Sequence, residues 1–344
     1  MTPATGPLTA AAPEAAGWVS ALRQIVPTPD AYARFDMDRE AALTVMRCPG
    51  EVLDLLVREG LRSRGDGDRA RFEDSDIRNV AAASGSGGSF MELVQRYLFR
   101  FAASPPGEWV NPRSWAMRNL AACVESDDCG GAWEFARLAS AEFGGEARDE
   151  RTAKGTELEV RGASVEGRPP AAGFAATVRT VGSVRRVRDP LVREAFHASL
   201  EEMRSGRMRY QDMPVAMRND PAAARANGTA NCISVSLHLR DVLTAAGLRA
   251  RTRKGYLMGL LGSDHSWAEV HEDGEWKVID PVFALLGLRQ GAGEEFVEFC
   301  LGSVPNRLVP CDCPADRETV RHTHDGTPVA VRNVLLVNPL KEKA

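Results

Sequence analysis

Cys232, His265 and Asp280 are a thiol, an imidazole and a carboxylate arranged in chain order within the stretch Asn231–Pro281. A thiol nucleophile needs a base to take its proton, and the base needs a third group to hold its ring in one tautomer and orientation. Downstream of Cys232, the apolar residues Val235, Leu239, Val242, Leu243 and Ala246 recur at helical spacing, and Gly247 is a natural C-cap. Cys232 therefore falls in a first helical turn, where free backbone N–H groups and the positive end of the helix dipole favour a thiolate. Those donors also suit an oxyanion. A lone cysteine in such a place is as readily an inert packing residue, so the elements that would position its partners carry the weight.

Two strands follow, HSWAEVH and EWKVIDP, joined by Asp273-Gly274, a strong two-residue hairpin turn. Such a loop pairs Glu272 with Glu275, which sets Asp280 opposite Trp267 and diagonal to His265 on one face of the sheet. Diagonal neighbours lie about 7–8 Å apart at the backbone, within bridging reach of an imidazole and a carboxylate. A slip of one residue would send Asp280 to the other face. Trp267, on the face of His265, would shield a His–Asp bond from water or simply pack in the core. Asp264 adjoins His265 but points the opposite way along the strand, so Asp280 is the preferred orienting acid. His238 lies six positions past Cys232 and faces away from the thiol. His271 sits beside the hairpin turn, and His197 has no evident partner.

These pieces, with Ala246-Gly247-Leu248, Arg251, Gly255-Tyr256, His265-Ser266-Trp267-Ala268-Glu269-Val270 and Trp276-Lys277-Val278-Ile279-Asp280-Pro281, resemble the transglutaminase-like superfamily. The resemblance covers about a third of the chain. It implies an α+β fold with a papain-like core, a nucleophile helix packed on an antiparallel sheet. It also implies a catalytic triad of Cys232, His265 and Asp280. Tyr210 stands where relatives have an aromatic residue shaping the cleft, with core packing the alternative. Asn231 replaces the glycine that many relatives have before the cysteine, and with Tyr210 and Trp267 it is a candidate substrate-binding residue. Such enzymes need no cofactor. They pass an acyl group through a thioester on the cysteine, and members in bacterial antibiotic pathways join a carrier-bound acyl thioester to an amine. The expected partners are thus an acyl donor, such as a carrier-protein thioester, and an amine acceptor. A cysteine peptidase or amidase is the alternative, and a binding scaffold without turnover a second.

At 344 residues the chain is long enough for two domains or one large decorated one. A net charge of −4 argues against a general nucleic-acid or membrane binder. Seven cysteines without regular spacing fit reduced thiols in a cytoplasmic protein. An excess of arginine over lysine, 38 to 5, points to a GC-rich bacterial source. No stretch approaches the ~20 apolar residues that span a bilayer. Residues 1–14 read as a disordered Ala/Pro tail, 15–150 as a helical region, 151–172 as a linker or a hairpin around Lys154-Gly155, and 173–344 as the catalytic domain.

Helices are expected at Ala15–Ile25, Arg39–Met46, Glu51–Glu59, Ser89–Ala103, Pro112–Glu125, Ala132–Ala139 and Asp189–Arg204, the last with Asp189 as N-cap and Pro190 at its first position. Ser84–Gly88 could cradle a phosphate before a helix, but lacks a lysine and a preceding strand, so a plain connection is the better reading. Cys311, Cys313, His322 and His324 are four possible zinc ligands. The one-residue gap between the cysteines is tighter than structural zinc sites use, which leaves a polar loop as the default.

Overall fold

The structure is a computed structural model, and it describes residues 15–340 except 126–130, 140–145, 151–158, 162–163, 168–171, 260–261 and 325. The proposed tail over residues 1–14 and the turn at Lys154-Gly155 lie outside the described residues.

The first layer is helical. Ala15–Gln24, Arg39–Met46, Gly50–Arg58 and Phe90–Phe99 form where apolar spacing and caps predict them. Asp38 caps one helix by accepting from the Ala41 N–H at 2.8 Å, and Ser89 with Glu92 closes a reciprocal capping box on another. A further helix, Asp74–Ala83, has acidic residues in its first turn and buries Ile77, Val80 and Ala81 at i, i+3 and i+4. Trp18, Met46, Leu53, Leu56, Phe72 and Ile77 close a small apolar core beneath these helices. Ser84–Gly88 is a connection: the Glu92 carboxylate accepts from the Ser86 and Ser89 hydroxyls at 2.6 and 2.8 Å and so occupies the helix end an anion would need.

The helical layer stops at Val110, and the helices expected over Pro112–Glu125 and Ala132–Ala139 are strands, Arg113–Cys123 and Ala132–Phe135. Ala, Met, Leu and Arg suit helices, but residues 115, 117, 119, 121 and 123 are all buried, a period of two that pairing imposes over propensity. Arg113–Cys123 lies between Val331–Leu340 and Ala172–Thr180 in a four-stranded antiparallel sheet completed by Glu146–Glu150. A hairpin within 151–172 joins Glu159–Arg161 to Ser164–Gly167.

The second sheet has five strands in the order Leu301–Gly302, Glu275–Ile279, Ser263–Glu272, Ala250–Leu257, Leu308–Pro310, all antiparallel. Its hairpin pairs Glu272 with Glu275 and keeps that register through Ala268 and Ile279. Asp273 and Gly274 take φ of 56° and 82°, the left-handed pair that a type I′ turn demands. Gly255 has a steric cause: a Cβ there would lie 2.4 Å from the Val309 carbonyl oxygen and 2.8 Å from the Trp267 ring. The helices Pro190–Arg204, Cys232–Ala245, Pro281–Arg289 and Glu294–Phe299 cover this sheet. Their contact buries one large core that includes Phe196, Leu239, Trp267, Val278, Phe283 and Phe296. The two sheets meet through Trp115, Met117, Phe174, Tyr256 and Val309, and the Asn119 amide donates to the Tyr256 hydroxyl at 2.7 Å.

Candidate active site

Cys232 is the first residue of its helix, with Asn231 as N-cap. The Asn231 Oδ1 accepts from the Ser234 N–H at 2.9 Å, and the Asn231 N–H donates to the Ser234 hydroxyl at 3.0 Å. This box fixes the turn from which the thiol projects. It leaves the N–H groups of Cys232 and Ile233 without intrahelical acceptors, as helix geometry requires of its first positions. The Asn231 side-chain NH2 makes no hydrogen bond to the described residues, and Asn231 lines the cleft beside the thiol.

His265 and Asp280 are both buried. Past Ile279 the chain leaves the ladder, and Asp280 caps the next helix, its Oδ1 accepting from the Phe283 N–H at 2.9 Å. Its other oxygen, Oδ2, sits 2.6 Å from His265 Nε2. The diagonal contact expected from the hairpin is therefore made, with helix capping aiming the carboxylate. With Nε2 taken by Asp280, Nδ1 is the ring nitrogen left for the thiol, and Cys232 lines the same cleft as His265. Burial alone would lower the pKa of His265, but Asp280 and Cys232 outweigh it and raise it to about 10. The imidazolium is thus favoured across neutral pH, between two groups able to carry negative charge.

Trp267 does not line the cleft, which corrects its assignment to substrate binding. It is buried, stacks beside His265 at 6.2 Å between ring centroids, and donates its Nε1–H to Glu269 at 2.9 Å. Glu269, also buried, accepts from Arg251 at 2.5 Å across the ladder, and the Arg251 guanidinium lies 4.0 Å from the Trp276 ring centroid. Tyr210 does line the cleft with Cys232 and His265. Burial, and then the neighbouring Cys232, push its phenol well above its ordinary value.

The cleft has a volume of about 450 Å³. One wall is Cys232 and His265 with Asn231 and Tyr210, and the other comes from the N-terminal helices, through residues such as Arg78, Ala82, Met91 and Val94. Two amide clasps hold this wall in place. Gln211 accepts from the Val26 N–H at 3.0 Å and donates to its carbonyl at 2.7 Å. Asn79 accepts from the Asp212 N–H at 2.7 Å and donates to its carbonyl at 3.0 Å. Sequence reasoning missed this wall and its clasps. The acidic start and the i, i+3, i+4 apolar spacing of Asp74–Ala83 were available signals, whereas side-chain pairing with a backbone 133 or 185 residues away leaves none.

The remaining candidates stand apart. Asp264 reaches the cleft edge, 3.6 Å from Lys254 Nζ. His271 packs on Trp276, and His197 lies 3.5 Å from Glu298. The proposed zinc ligands are dispersed. Cys311 and Cys313 are buried, His322 stacks on Trp133 at 3.8 Å with Nδ1 at 2.9 Å from the Ala132 carbonyl, and His324 lies 3.8 Å from Glu125. Among the described residues no group of three or more His, Cys, Asp or Glu side chains could hold a metal. No described helix is long and apolar enough to cross a membrane.

Residues 179–281 match the family model of the transglutaminase-like superfamily, a span that includes all three residues of the Cys–His–Asp array. That match supports cysteine-based catalysis. Among solved structures, the chain is similar to a putative cysteine protease from Cytophaga hutchinsonii, at 10% identity over 68% of this chain and 92% of that one, with a TM-score of 0.30. No curated protein matches the chain.

Proposed function

We propose that the protein is a cysteine acyltransferase that makes amide bonds from a thioester donor and an amine, with Cys232, His265 and Asp280 as its triad. The observation that carries this reading is the buried 2.6 Å bond between His265 Nε2 and Asp280, with His265 lining one cleft with a thiol at a helix start. In the first half, the Cys232 sulfur attacks the donor carbonyl and a new S–C bond forms. The leaving thiolate departs as its C–S bond breaks and takes the proton from His265 Nδ1. In the second half, an amine attacks the acyl-enzyme, gives a proton to His265, and releases the amide as the Cys232 thiolate re-forms. The N–H groups at the head of the helix and the free side-chain NH2 of Asn231 are the available donors to the oxyanion of both tetrahedral intermediates. Asp280 holds the ring with its Nε2–H directed at the carboxylate throughout.

Hydrolysis would need water as the acceptor. The helical wall over the cleft favours an amine that binds, because it limits bulk water at the acyl-enzyme. A carrier protein presenting the acyl group as a thioester is a suitable donor, and such a reaction belongs in a biosynthetic assembly pathway. The test is product analysis by mass spectrometry after mixing the protein with an acyl thioester and a primary amine. Amide product that Cys232→Ala fails to form supports the reading. Free acid alone makes the protein a hydrolase, and no turnover with any donor returns it to a scaffold.

A further inference from the structure

Four arginines line the cleft, and their charges are not equally balanced. Arg78 bonds Asp74 at 2.5 Å and faces Asp212 at 3.9 Å. Arg218 bonds Glu318 at 2.5 Å. The cleft's other carboxylate, Asp264, lies 3.6 Å from Lys254. Arg209 and Arg289 have no carboxylate partner among the described residues, although the protein is acidic as a whole. Both line one cleft, and Tyr210 links them: Arg209 is the residue before it and Arg289 faces its ring. The Arg289 guanidinium carbon sits 5.5 Å from the centroid of the Tyr210 ring.

The positions of these two guanidinia follow from the elements that carry the triad. Asp280 caps the helix Pro281–Arg289 at the His265 end, and Arg289 is its last residue. Nine helical residues rise about 13 Å, so Arg289 stands that far along the helix from the Asp280 cap, and Leu286, one turn earlier, also lines the cleft. Arg209 is held by the short parallel pairing of Arg209–Tyr210 with Thr229–Ala230, just ahead of Cys232. Two uncompensated guanidinia in one cleft repel, and an oxyanion between them removes that repulsion and accepts charge-assisted hydrogen bonds from both.

We infer that the acyl donor carries an anionic group, held in the cleft by Arg209 and Arg289. This rests on the acyl-transfer reading above and assigns that site a substrate class. The anion can belong to the acyl chain, as a terminal carboxylate, or to the thiol portion, as the phosphate of a phosphopantetheine-type carrier arm.

The experiment measures acylation of Cys232 by intact-protein mass spectrometry at low ionic strength. The first probes are N-acetylcysteamine thioesters of adipic acid, of its ω-amide and of 6-aminohexanoic acid, matched in length and differing in terminal charge. A second pair, hexanoyl thioesters of phosphopantetheine and of N-acetylcysteamine, places the anion on the thiol side instead. One pair should show an anionic-to-neutral rate ratio of about five- to tenfold in the wild type, shrinking with added salt. Arg209→Gln and Arg289→Gln should bring that ratio toward one, Arg289→Lys should retain part of it, and Arg289→Glu should favour the ammonium donor. Ratios taken within each variant do not depend on its folded fraction. Equal rates for both pairs in the wild type, or a ratio the substitutions leave intact, would overturn the inference while acyl transfer stands. If no probe acylates Cys232, adipate and phosphopantetheine binding to the wild type is followed by calorimetry. Binding weakened by Arg289→Gln then keeps the anion site and removes the acyl-transfer reading, and no binding removes both.

Discussion

His265 is held by Asp280 at Nε2 and lines the cleft with the Cys232 thiol. With its pKa raised to about 10, the imidazolium is available across neutral pH. Iodoacetamide should therefore label Cys232 rapidly at pH 6, well below the free-cysteine pKa of about 8.5. His265→Ala should shift labelling to higher pH, as followed by peptide mass spectrometry. Labelling of the wild type that rises only near pH 8–9 would argue against a thiolate–imidazolium pair. On turnover, Cys232→Ala should abolish activity and His265→Ala nearly so. Asp280→Ala should lose roughly 10²- to 10⁴-fold, because packing against Phe283 and Trp267 retains part of the ring's orientation. Asn231→Asp separates two roles of one side chain. The carboxylate keeps the cap to Ser234 but has no amide N–H, so kcat should fall about 10²-fold with the melting temperature little changed. A kcat equal to wild type would remove Asn231 from the oxyanion site.

Among the elements, the hairpin and the nucleophile helix were the most legible. Asp273-Gly274 dictates its own turn, and the turn fixes the register that brings Asp280 to His265. Asp189-Pro190 likewise announced the start of its helix. Arg113–Cys123 was misread because its residue types favour a helix, while its alternate burial comes from two strands far along the chain. The substrate wall depends on the amide clasps of Gln211 and Asn79, each replacing a strand partner for an otherwise unpaired stretch of backbone. Gln211→Ala leaves the Val26 N–H and carbonyl unpaired and should cost about 1–3 kcal/mol by urea denaturation. It should also raise KM more than it lowers kcat, since Gln211 acts on the wall and not on the triad. An unchanged KM would mean that the helical layer does not shape substrate binding.

Across the whole molecule, the helical layer carries a pH dependence of its own. Glu73 is buried against Thr28 and Asp76, and desolvation raises its carboxyl pKa to about 7 from its ordinary 4.5, with the Asp76 charge adding to the rise. The folded state binds this proton more tightly than the unfolded chain does. Its contribution is therefore fully present below pH 4.5 and is lost as pH rises through 7. The loss is at most about 3 kcal/mol at 1.36 kcal/mol per pKa unit. Urea denaturation at pH 5 and pH 8 should show this drop for the wild type and a smaller one for Glu73→Gln, which keeps an acceptor for the Asp76 N–H. Equal drops in both proteins would assign the dependence to other groups.

What the sequence by itself determined is local or spaced by a single turn: the helix that Cys232 opens, the hairpin that sets His265 against Asp280, and the caps on either side. In each case a few neighbouring residues choose the backbone path, and alternation of side chains does the rest. Only the tertiary structure decided that residues 113–123 pair as a strand, that Trp267 is buried away from the cleft, and that the N-terminal helices wall it. It also brought Arg209 and Arg289, 80 positions apart, to one cleft without a counter-ion. Those outcomes depend on pairings and burial between distant segments, whose energies no local stretch of residues contains.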